Sequence, residues 1–202
     1  MRTEESIMLI GLCGGSCAGK TTISNKLKEL LGDSISIISL DNYYISYPQL
    51  SYEQRKNVNY DEPQSIDVDT LLSDIHRLKA GSSITQPSFS FETFLNERAS
   101  TITNPANFIL VEGLFVLSYP SLVEQLDLKL FVDSDSDIRL ARRILRDMRV
   151  HHRTIEFIID QYFNYVKPMY ELYIEPQREL ADCIISGNKE HNLLSEIIPF
   201  LK

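Results

Sequence analysis

The chain has 202 residues, of which 43% are hydrophobic and 24% are charged, and its formal net charge is −8. This length suits one α/β domain with a substantial core, and the acidic balance argues against nucleic acid as a general partner. No apolar run is as long as a membrane span, and the polar residues 1–5 do not resemble a signal peptide. We therefore expect one domain over residues 1–202, without repeats or linkers and without a membrane partner.

The first elements predicted along the chain surround a glycine-rich loop. Residues 7–13 are an apolar run typical of a buried parallel strand. Residues 14–21 read G-G-S-C-A-G-K-T and fit the pattern G-x-x-x-x-G-K-T of a phosphate-binding loop. An amphipathic helix follows and is expected to stop at Gly32. In this context Lys20 would reach the β- and γ-phosphates of a nucleotide, and Thr21 would bind Mg²⁺.

The middle of the chain predicts a second strand, a long loop and a hairpin. Residues 35–40 form the strand, and residues 45–66 form the loop, with a short helix near 52–58. Asp67 can cap a helix that Gly81 closes. Residues 83–103 are rich in Phe, Ser and Thr and are interpreted as a hairpin-like excursion.

The second half alternates strands and helices. Strands are predicted at 107–111, 128–132 and 181–185, and helices at 118–126, 136–150 and 192–200. Another helix begins near Thr154, and Pro168 is expected to kink or end it. The alternation predicts an α/β fold of the three-layer P-loop NTPase type, with a central parallel sheet and right-handed crossovers.

Two carboxylates follow apolar strands directly. Asp41 comes after the strand at 35–40, and Glu112 comes after the strand at 107–111. Because ligands gather at the carboxyl ends of parallel strands, these groups are expected to converge beside the phosphate loop. There they could hold Mg²⁺ or accept a proton from an acceptor hydroxyl. Either residue taken alone could instead cap the following helix.

The helix from residue 136 carries arginines along one face. They are Arg139, Arg142, Arg143, Arg146 and Arg149, and Leu140, Ile144, Leu145 and Met148 lie opposite. A solvated basic face is the ordinary interpretation of such a run. Since the protein is acidic overall, we interpret residues 136–153 as a lid that closes over a polyphosphate.

The three cysteines show neither metal-like nor disulfide-like spacing. Cys13 and Cys183 are expected in buried strands, where free cysteine acts as a small apolar residue. Cys17 is expected to be a tolerated small residue of the phosphate loop. This usage suits a reducing cytoplasm.

Taken in order, several motifs resemble the uridine kinase (uridine–cytidine kinase) family of P-loop kinases. The resemblance runs from about residue 7 to residue 200. Its motifs are G-G-S-C-A-G-K-T-T at 14–22, D-N-Y-Y at 41–44, N-Y-D-E-P at 59–63, V-E-G at 111–113, K-L-F-V-D at 129–133, R-R-I-L-R-D at 142–147, Q-Y at 161–162, V-K-P-M at 166–169 and A-D-C-I-I at 181–185.

The resemblance implies transfer of the γ-phosphate of ATP or GTP to the 5′-hydroxyl of uridine or cytidine, which gives UMP or CMP. Asp41 would orient or deprotonate that hydroxyl, and Lys20, Arg143 and Arg146 would act at the phosphates. Asp61 would hold the ribose hydroxyls, while Arg153 and Gln161 would make other sugar-side and base-side contacts. The nucleotide-binding set would be Gly14, Gly15, Ser16, Cys17, Ala18, Gly19, Lys20, Thr21, Thr22 and Glu190, and the Mg²⁺ ligands would be Thr21, Asp41 and Glu112. Family members are typically cytoplasmic homotetramers that CTP often restrains.

Two positions depart from the family pattern. Phe89 stands where the family has a tyrosine, and Phe94 stands where it has a histidine; both of these contact the base. A base pocket without those polar groups cannot discriminate by the same hydrogen bonds. A related kinase with another ribosyl or sugar acceptor, such as nicotinamide riboside, therefore remains an alternative. A nucleotide-binding regulatory protein without turnover is a third hypothesis.

Overall fold

A five-stranded parallel sheet forms the centre of the computed structural model, which describes residues 7–188 and 197–201. The strand order is β2-β5-β1-β6-β7, so the strand that enters the phosphate loop lies in the middle. All four pairings are parallel, which confirms the predicted sheet. The strands are β1 (Met8–Gly14), β2 (Ile35–Ser39), β5 (Phe108–Glu112), β6 (Leu128–Asp133) and β7 (Cys183–Ser186).

Apolar side chains on both faces of β1 explain its central place. Every residue of β1 is buried. Because successive side chains of a strand point to opposite faces, Leu9 packs into one core cluster and Ile10 into the other. A strand buried on both faces has a continuous apolar sequence, and this is the signal that identifies it.

Helices cover both faces of the sheet. Ile23 and Leu27 of α1 pack into one cluster, and Leu71 and Ile75 of α3 pack into the other. The helices are α1 (Lys20–Leu31), α2 (Tyr52–Lys56), α3 (Val68–Lys79), α4 (Pro120–Val123), α5 (Ser136–Val150) and α6 (Ile155–Gln161). The Asp67 carboxylate accepts a hydrogen bond from the backbone N–H of Thr70 and caps α3, as expected.

The predicted hairpin is confirmed as a separate antiparallel pair, β3 (Ile84–Ser90) and β4 (Leu95–Thr103). At its tip Phe94 has a φ of 56°, a left-handed conformation that is rare for a bulky residue. In the part of the chain that the structure describes, no helix is both long and apolar enough to cross a membrane.

Pro168, expected to kink or end its helix, does not end it. The helical path from Ile155 runs on through π-helical residues Tyr162–Val166, the short α7 (Lys167–Met169) and π-helical residues Tyr170–Ile174. The wider π turns on either side accommodate a residue that lacks an N–H and whose ring crowds the preceding turn. The path ends only after the 3-10 residues Glu175–Leu180.

Three smaller expectations also change. The segment predicted as a helix at 118–126 is a 3-10 turn, Val116–Ser118, followed by the short α4. Cys183 is only half-buried, since β7 is the edge strand of the sheet. The closing helix predicted at 192–200 lies largely outside the described residues, and Ile198–Phe200 form a 3-10 turn.

Candidate active site

A cavity of about 660 Å³ opens at the carboxyl ends of the central strands. The phosphate loop lines one end, α6 and the hairpin line the other, and residues of α5 reach both. Asp41 and Glu112 lie between these ends. The volume falls in the range of small-molecule sites in enzymes.

The phosphate loop has a backbone that requires glycine. Gly14 has a φ of 144° and Gly19 a φ of 113°. A Cβ at Gly14 would lie 2.5 Å from the carbonyl oxygen of Val132, so a side chain there would push the loop off the sheet. The Lys20 ammonium donates hydrogen bonds of 3.0 Å to the carbonyls of Gly14 and Gly15, and α1 begins at Lys20. A lysine and a helix N-terminus at the mouth of such a loop suit a bound polyphosphate.

The register of the sheet brings the two carboxylates to the loop. Glu112 pairs with Leu12 of β1 on one side and with Ser39 of β2 on the other. Asp41 follows two residues after Ser39, in a 3-10 turn. The Glu112 carboxylate is buried and accepts a 2.7 Å hydrogen bond from the Ser39 hydroxyl.

The pKa values of both carboxylates are raised. Loss of solvation raises the pKa of Asp41, although Lys20 and Arg146 oppose the change and the side chain is open to the cavity. Loss of solvation and the nearby Asp41 charge raise the pKa of Glu112. Two carboxylates in this state favour a shared cation or a proton.

The donor set suits Mg²⁺. Asp41, Glu112 and the Thr21 hydroxyl offer oxygen ligands only, which is the chemistry that a hard cation prefers. Among residues 7–188 and 197–201, no group of three or more His, Cys, Asp or Glu side chains could hold a metal by itself. A cation here would therefore take further ligands from a nucleotide and from water, as Mg²⁺ usually does.

Asp61, Arg153 and Gln161 line the far end of the cavity together. Arg143 and Arg153 both donate to the Gln161 side-chain oxygen, at 2.8 and 3.3 Å. Burial raises the pKa of Asp61, which the Arg143 charge opposes. This end of the cavity therefore offers a polar ligand the Asp61 carboxylate and the Gln161 amide, whose orientation the two arginines fix.

The two phenylalanines have different positions. Phe94 lines the cavity and stacks on Tyr60, with ring centroids 5.5 Å apart and an angle of 17° between the planes. Phe89 does not line the cavity; it packs behind the wall against Tyr44 and Tyr60. Of the two, only Phe94 can contact a ligand directly.

The five arginines of α5 divide into three groups. Arg142, Arg143 and Arg146 line the cavity. Arg139 instead lies behind the phosphate loop, where its guanidinium is 3.8 Å from the centre of the Tyr170 ring. Arg149 is exposed and does not line the cavity.

Sequence reasoning gave no site role to several cavity residues, among them Asp147, Gly187 and Asn188. Gly187 follows the last strand, and a Cβ there would lie 1.9 Å from the carbonyl oxygen of Ala18. Arg142 donates a 3.0 Å hydrogen bond to the Gly187 carbonyl, which fixes α5 to this turn. The S-G-N turn at 186–188, directly after a strand, was the available signal. Glu190, expected near the nucleotide base, lies outside the described residues.

A family model decides the relationship that the motifs suggest. Residues 9–193 match the model of the phosphoribulokinase/uridine kinase family. The chain belongs to this family. Within it, a uridine kinase of Chlamydia pneumoniae is 40% identical over 195 residues, covering 95% of this chain and 87% of that protein. A uridine kinase of Staphylococcus haemolyticus is 35% identical over 191 residues, covering 94% and 92%.

The fold also agrees with a solved structure of the family. The phosphoribulokinase from Rhodobacter spheroides superposes with a TM-score of 0.67 at 13% identity, covering 91% of this chain and 71% of that one. At that identity the likeness concerns the fold alone. It supports the central parallel sheet and its P-loop kinase architecture.

Proposed function

We propose that the chain is an ATP-dependent uridine and cytidine kinase, which transfers the γ-phosphate to the 5′-hydroxyl and yields UMP or CMP. The observation that carries the proposal is one cavity that the phosphate loop, Asp41 and Asp61 line together. Uridine kinases that are 35–40% identical over nearly the whole chain support the acceptor class. The chain would act as a single kinase domain, with residues 136–153 as its lid.

In the proposed reaction each residue has a physical role. The phosphate loop from Gly14 to Thr22 binds the triphosphate, and Lys20 neutralises its charge. Asp41 orients the acceptor hydroxyl and accepts its proton, for which a raised pKa is an advantage near neutral pH. Arg143 and Arg146 stabilise the charge that spreads over the transferring phosphoryl group.

We propose Mg²⁺ as the bound cation, with Thr21, Asp41 and Glu112 as its protein ligands. The ion would neutralise charge on the β- and γ-phosphates. EDTA is therefore expected to abolish turnover and added Mg²⁺ to restore it. Turnover that persists in EDTA would contradict this assignment.

The acceptor end binds the nucleoside in this proposal. Asp61 accepts hydrogen bonds from the ribose hydroxyls, and Arg153 and Gln161 contact the sugar and base. Phe94 offers the base an apolar ring instead of a hydrogen-bonding group, and this favours some tolerance of the base. The ribose contact would then contribute more to recognition than the base contact.

An acceptor panel tests the function. ADP formation is measured with ATP and with uridine, cytidine, nicotinamide riboside or a free sugar in turn. We expect uridine and cytidine to turn over with the highest kcat/KM. If only nicotinamide riboside is turned over, the acceptor is that alternative and not uridine. Tight ATP binding without any acceptor-dependent ADP formation would indicate a regulatory protein.

Assembly into a homo-oligomer, by family resemblance a tetramer, is part of the proposal. The outer face of α5 supports it, since Leu145 and Met148 are 52% and 47% exposed. Apolar side chains grouped on one solvent face favour burial against another chain. We also propose a cytoplasmic location, which the family resemblance implies.

A further inference from the structure

The cavity contains a buried acid that none of the roles above uses. Asp147 lies on α5 and its side chain is 0% exposed. A buried carboxylate is costly unless cations or hydrogen-bond donors compensate it. The groups around Asp147 therefore show what it does.

Three arginines from two segments surround this carboxylate. Arg146 donates a 2.8 Å hydrogen bond from Nε to Oδ1. Arg143 Nε lies 3.5 Å from Oδ2, and Arg153 Nη1 lies 4.0 Å from the same oxygen. Among the described residues, no group completes a hydrogen bond to Oδ2, so the oxygen is held by charge from two sides.

The Asp147 backbone binds the same segment. Its carbonyl accepts hydrogen bonds from the N–H groups of His151 and Arg153, at 3.2 and 3.1 Å. The chain turns here after α5, and His152 has a φ of 51°. The Asp147 backbone therefore joins the end of α5 to the turn that leads to Arg153, which lines the cavity.

The arginines that Asp147 holds reach opposite ends of the site. The Arg143 guanidinium donates to the Ser16 hydroxyl of the phosphate loop at 3.1 Å and to Gln161 at 2.8 Å. Arg153 also donates to Gln161, and Arg146 faces Asp41 across the cavity. The three arginines around this one carboxylate thus include the two that contact Gln161 and the one whose charge acts on Asp41.

We propose that Asp147 is a positioning residue that holds Arg143, Arg146 and Arg153 in the arrangement needed for phosphoryl transfer. The inference rests on the proposed kinase function. It differs from simple charge balance, in which Asp147 would only weaken the positive potential of the cavity. The two roles predict opposite results for the same substitutions.

The test compares two substitutions that change charge and position separately. Asp147→Asn removes the negative charge with little change in shape, and Asp147→Glu keeps the charge but moves it by one methylene. Positioning predicts that kcat falls on the order of tenfold to a hundredfold in both variants, because misplacement by about 1 Å is costly in catalysis. It also predicts that the Kd for ATP in the Asn variant stays near the wild-type value. Asp137→Asn, an exposed acid on the first turn of α5, is the matched control and should keep the wild-type kcat.

A double-mutant cycle separates positioning from a structural role. Because Asp147 acts partly through Arg143, adding Asp147→Asn to Arg143→Lys should lower kcat by clearly less than the product of the two single effects, and the remaining loss is the part that acts through Arg146 and Arg153. A general loss of structure would instead multiply the two effects and lower the melting temperature of each variant. Kinetics are therefore measured below the melting temperature of every variant.

Each outcome is decisive. If both Asp147 variants keep the wild-type kcat, the positioning role is wrong while the proposed kinase function stands. The same holds if the Asn variant binds ATP more tightly and its kcat is unchanged. Fully multiplicative effects in the cycle also overturn the positioning role. If neither the wild type nor the Asp137 control turns over any acceptor, the proposed function is wrong and this inference falls with it.

Discussion

At the scale of single residues, the site depends on carboxylates whose ionised form is disfavoured. The pKa values of Asp41, Asp61 and Glu112 are all raised, in each case chiefly by loss of solvation. Such groups bind protons and cations more tightly than the free side chains do. These carboxylates therefore serve the reaction at a cost in folding stability, and that cost can be measured.

Asp41→Asn is expected to lower kcat by about a hundredfold or more, because an amide cannot accept the proton of the acceptor hydroxyl. The Kd for ATP should change little, since the phosphate loop and Lys20 remain. Steady-state ADP formation and ATP titration measure the two effects. A kcat within a few-fold of the wild type would show that Asp41 is not the base.

The same substitution should raise the melting temperature at pH 7–8. Because the pKa of Asp41 is raised in the folded state, the folded chain binds this proton more tightly than the unfolded chain. The associated stability is present below the ordinary pKa of 3.8 and is lost as the pH rises through the folded value. Asparagine does not ionise, so the variant does not lose this stability at high pH. The substitution also removes the charge that raises the pKa of Glu112. Thermal melts from pH 3.5 to pH 8 should show a gain at high pH that disappears at low pH; a constant difference would contradict the assignment.

At the scale of elements, the phosphate loop is held by the two segments that pack against it. Arg142 of α5 donates to the Gly187 carbonyl, and the turn after β7 lies directly against Ala18. Neither contact is local in sequence. The loop therefore depends on the far end of the chain for its shape.

Gly187→Ala is expected to weaken ATP binding, because its Cβ would lie 1.9 Å from the Ala18 carbonyl oxygen and backbone must move. Gly81→Ala is the control: Gly81 has a φ of 79° and no atom within 4 Å of its Cβ. That control should lose about 1 kcal/mol of stability from backbone strain and keep its affinity for ATP. ATP titration with thermal melts distinguishes the variants, and equal affinities would refute the proposed contact.

The inner face of α5 should be more sensitive than its exposed arginine. Arg143→Lys is expected to lower kcat by roughly tenfold or more, because one ammonium cannot replace a fork that reaches both Ser16 and Gln161. Arg149→Lys should leave kcat unchanged, since Arg149 is exposed outside the cavity. Equal effects in the two variants would indicate that α5 acts only as a solvated basic helix.

At the scale of the whole molecule, α5 presents arginines inward and apolar side chains outward. This is the reverse of an ordinary surface helix. The inward face matches a polyphosphate in an otherwise acidic protein. The outward face remains uncovered in a single chain and supports the proposed oligomer.

Replacing Leu145 and Met148 together with glutamate should lower the molar mass measured by light scattering, because charge would enter the proposed interface. Leu30→Glu, at a residue of α1 that is also 50% exposed, should leave the mass unchanged. A wild-type chain that elutes as a monomer at micromolar concentration would refute the oligomer.

The sequence alone determined the features that depend on neighbouring residues. The apolar strands, the glycine loop and the cap at Asp67 follow from local spacing, and the structure confirms them. Of the five arginines predicted on one face of α5, three line the cavity. Even the convergence of Asp41 and Glu112 followed from strand ends in a parallel sheet. What could be predicted was the sheet and most of the phosphate end of the site.

Only the tertiary structure decided which side chains meet. Phe89 lies behind the cavity wall and Phe94 lines it, although both belong to one hairpin. Arg139 supports the phosphate loop from behind while Arg143, one turn later on the same helix, spans the site. Asp147 and Gly187 join the site through contacts with residues distant in sequence, and no local pattern encodes such contacts. Periodicity predicts the face on which a residue lies, but packing between distant segments determines what that face touches.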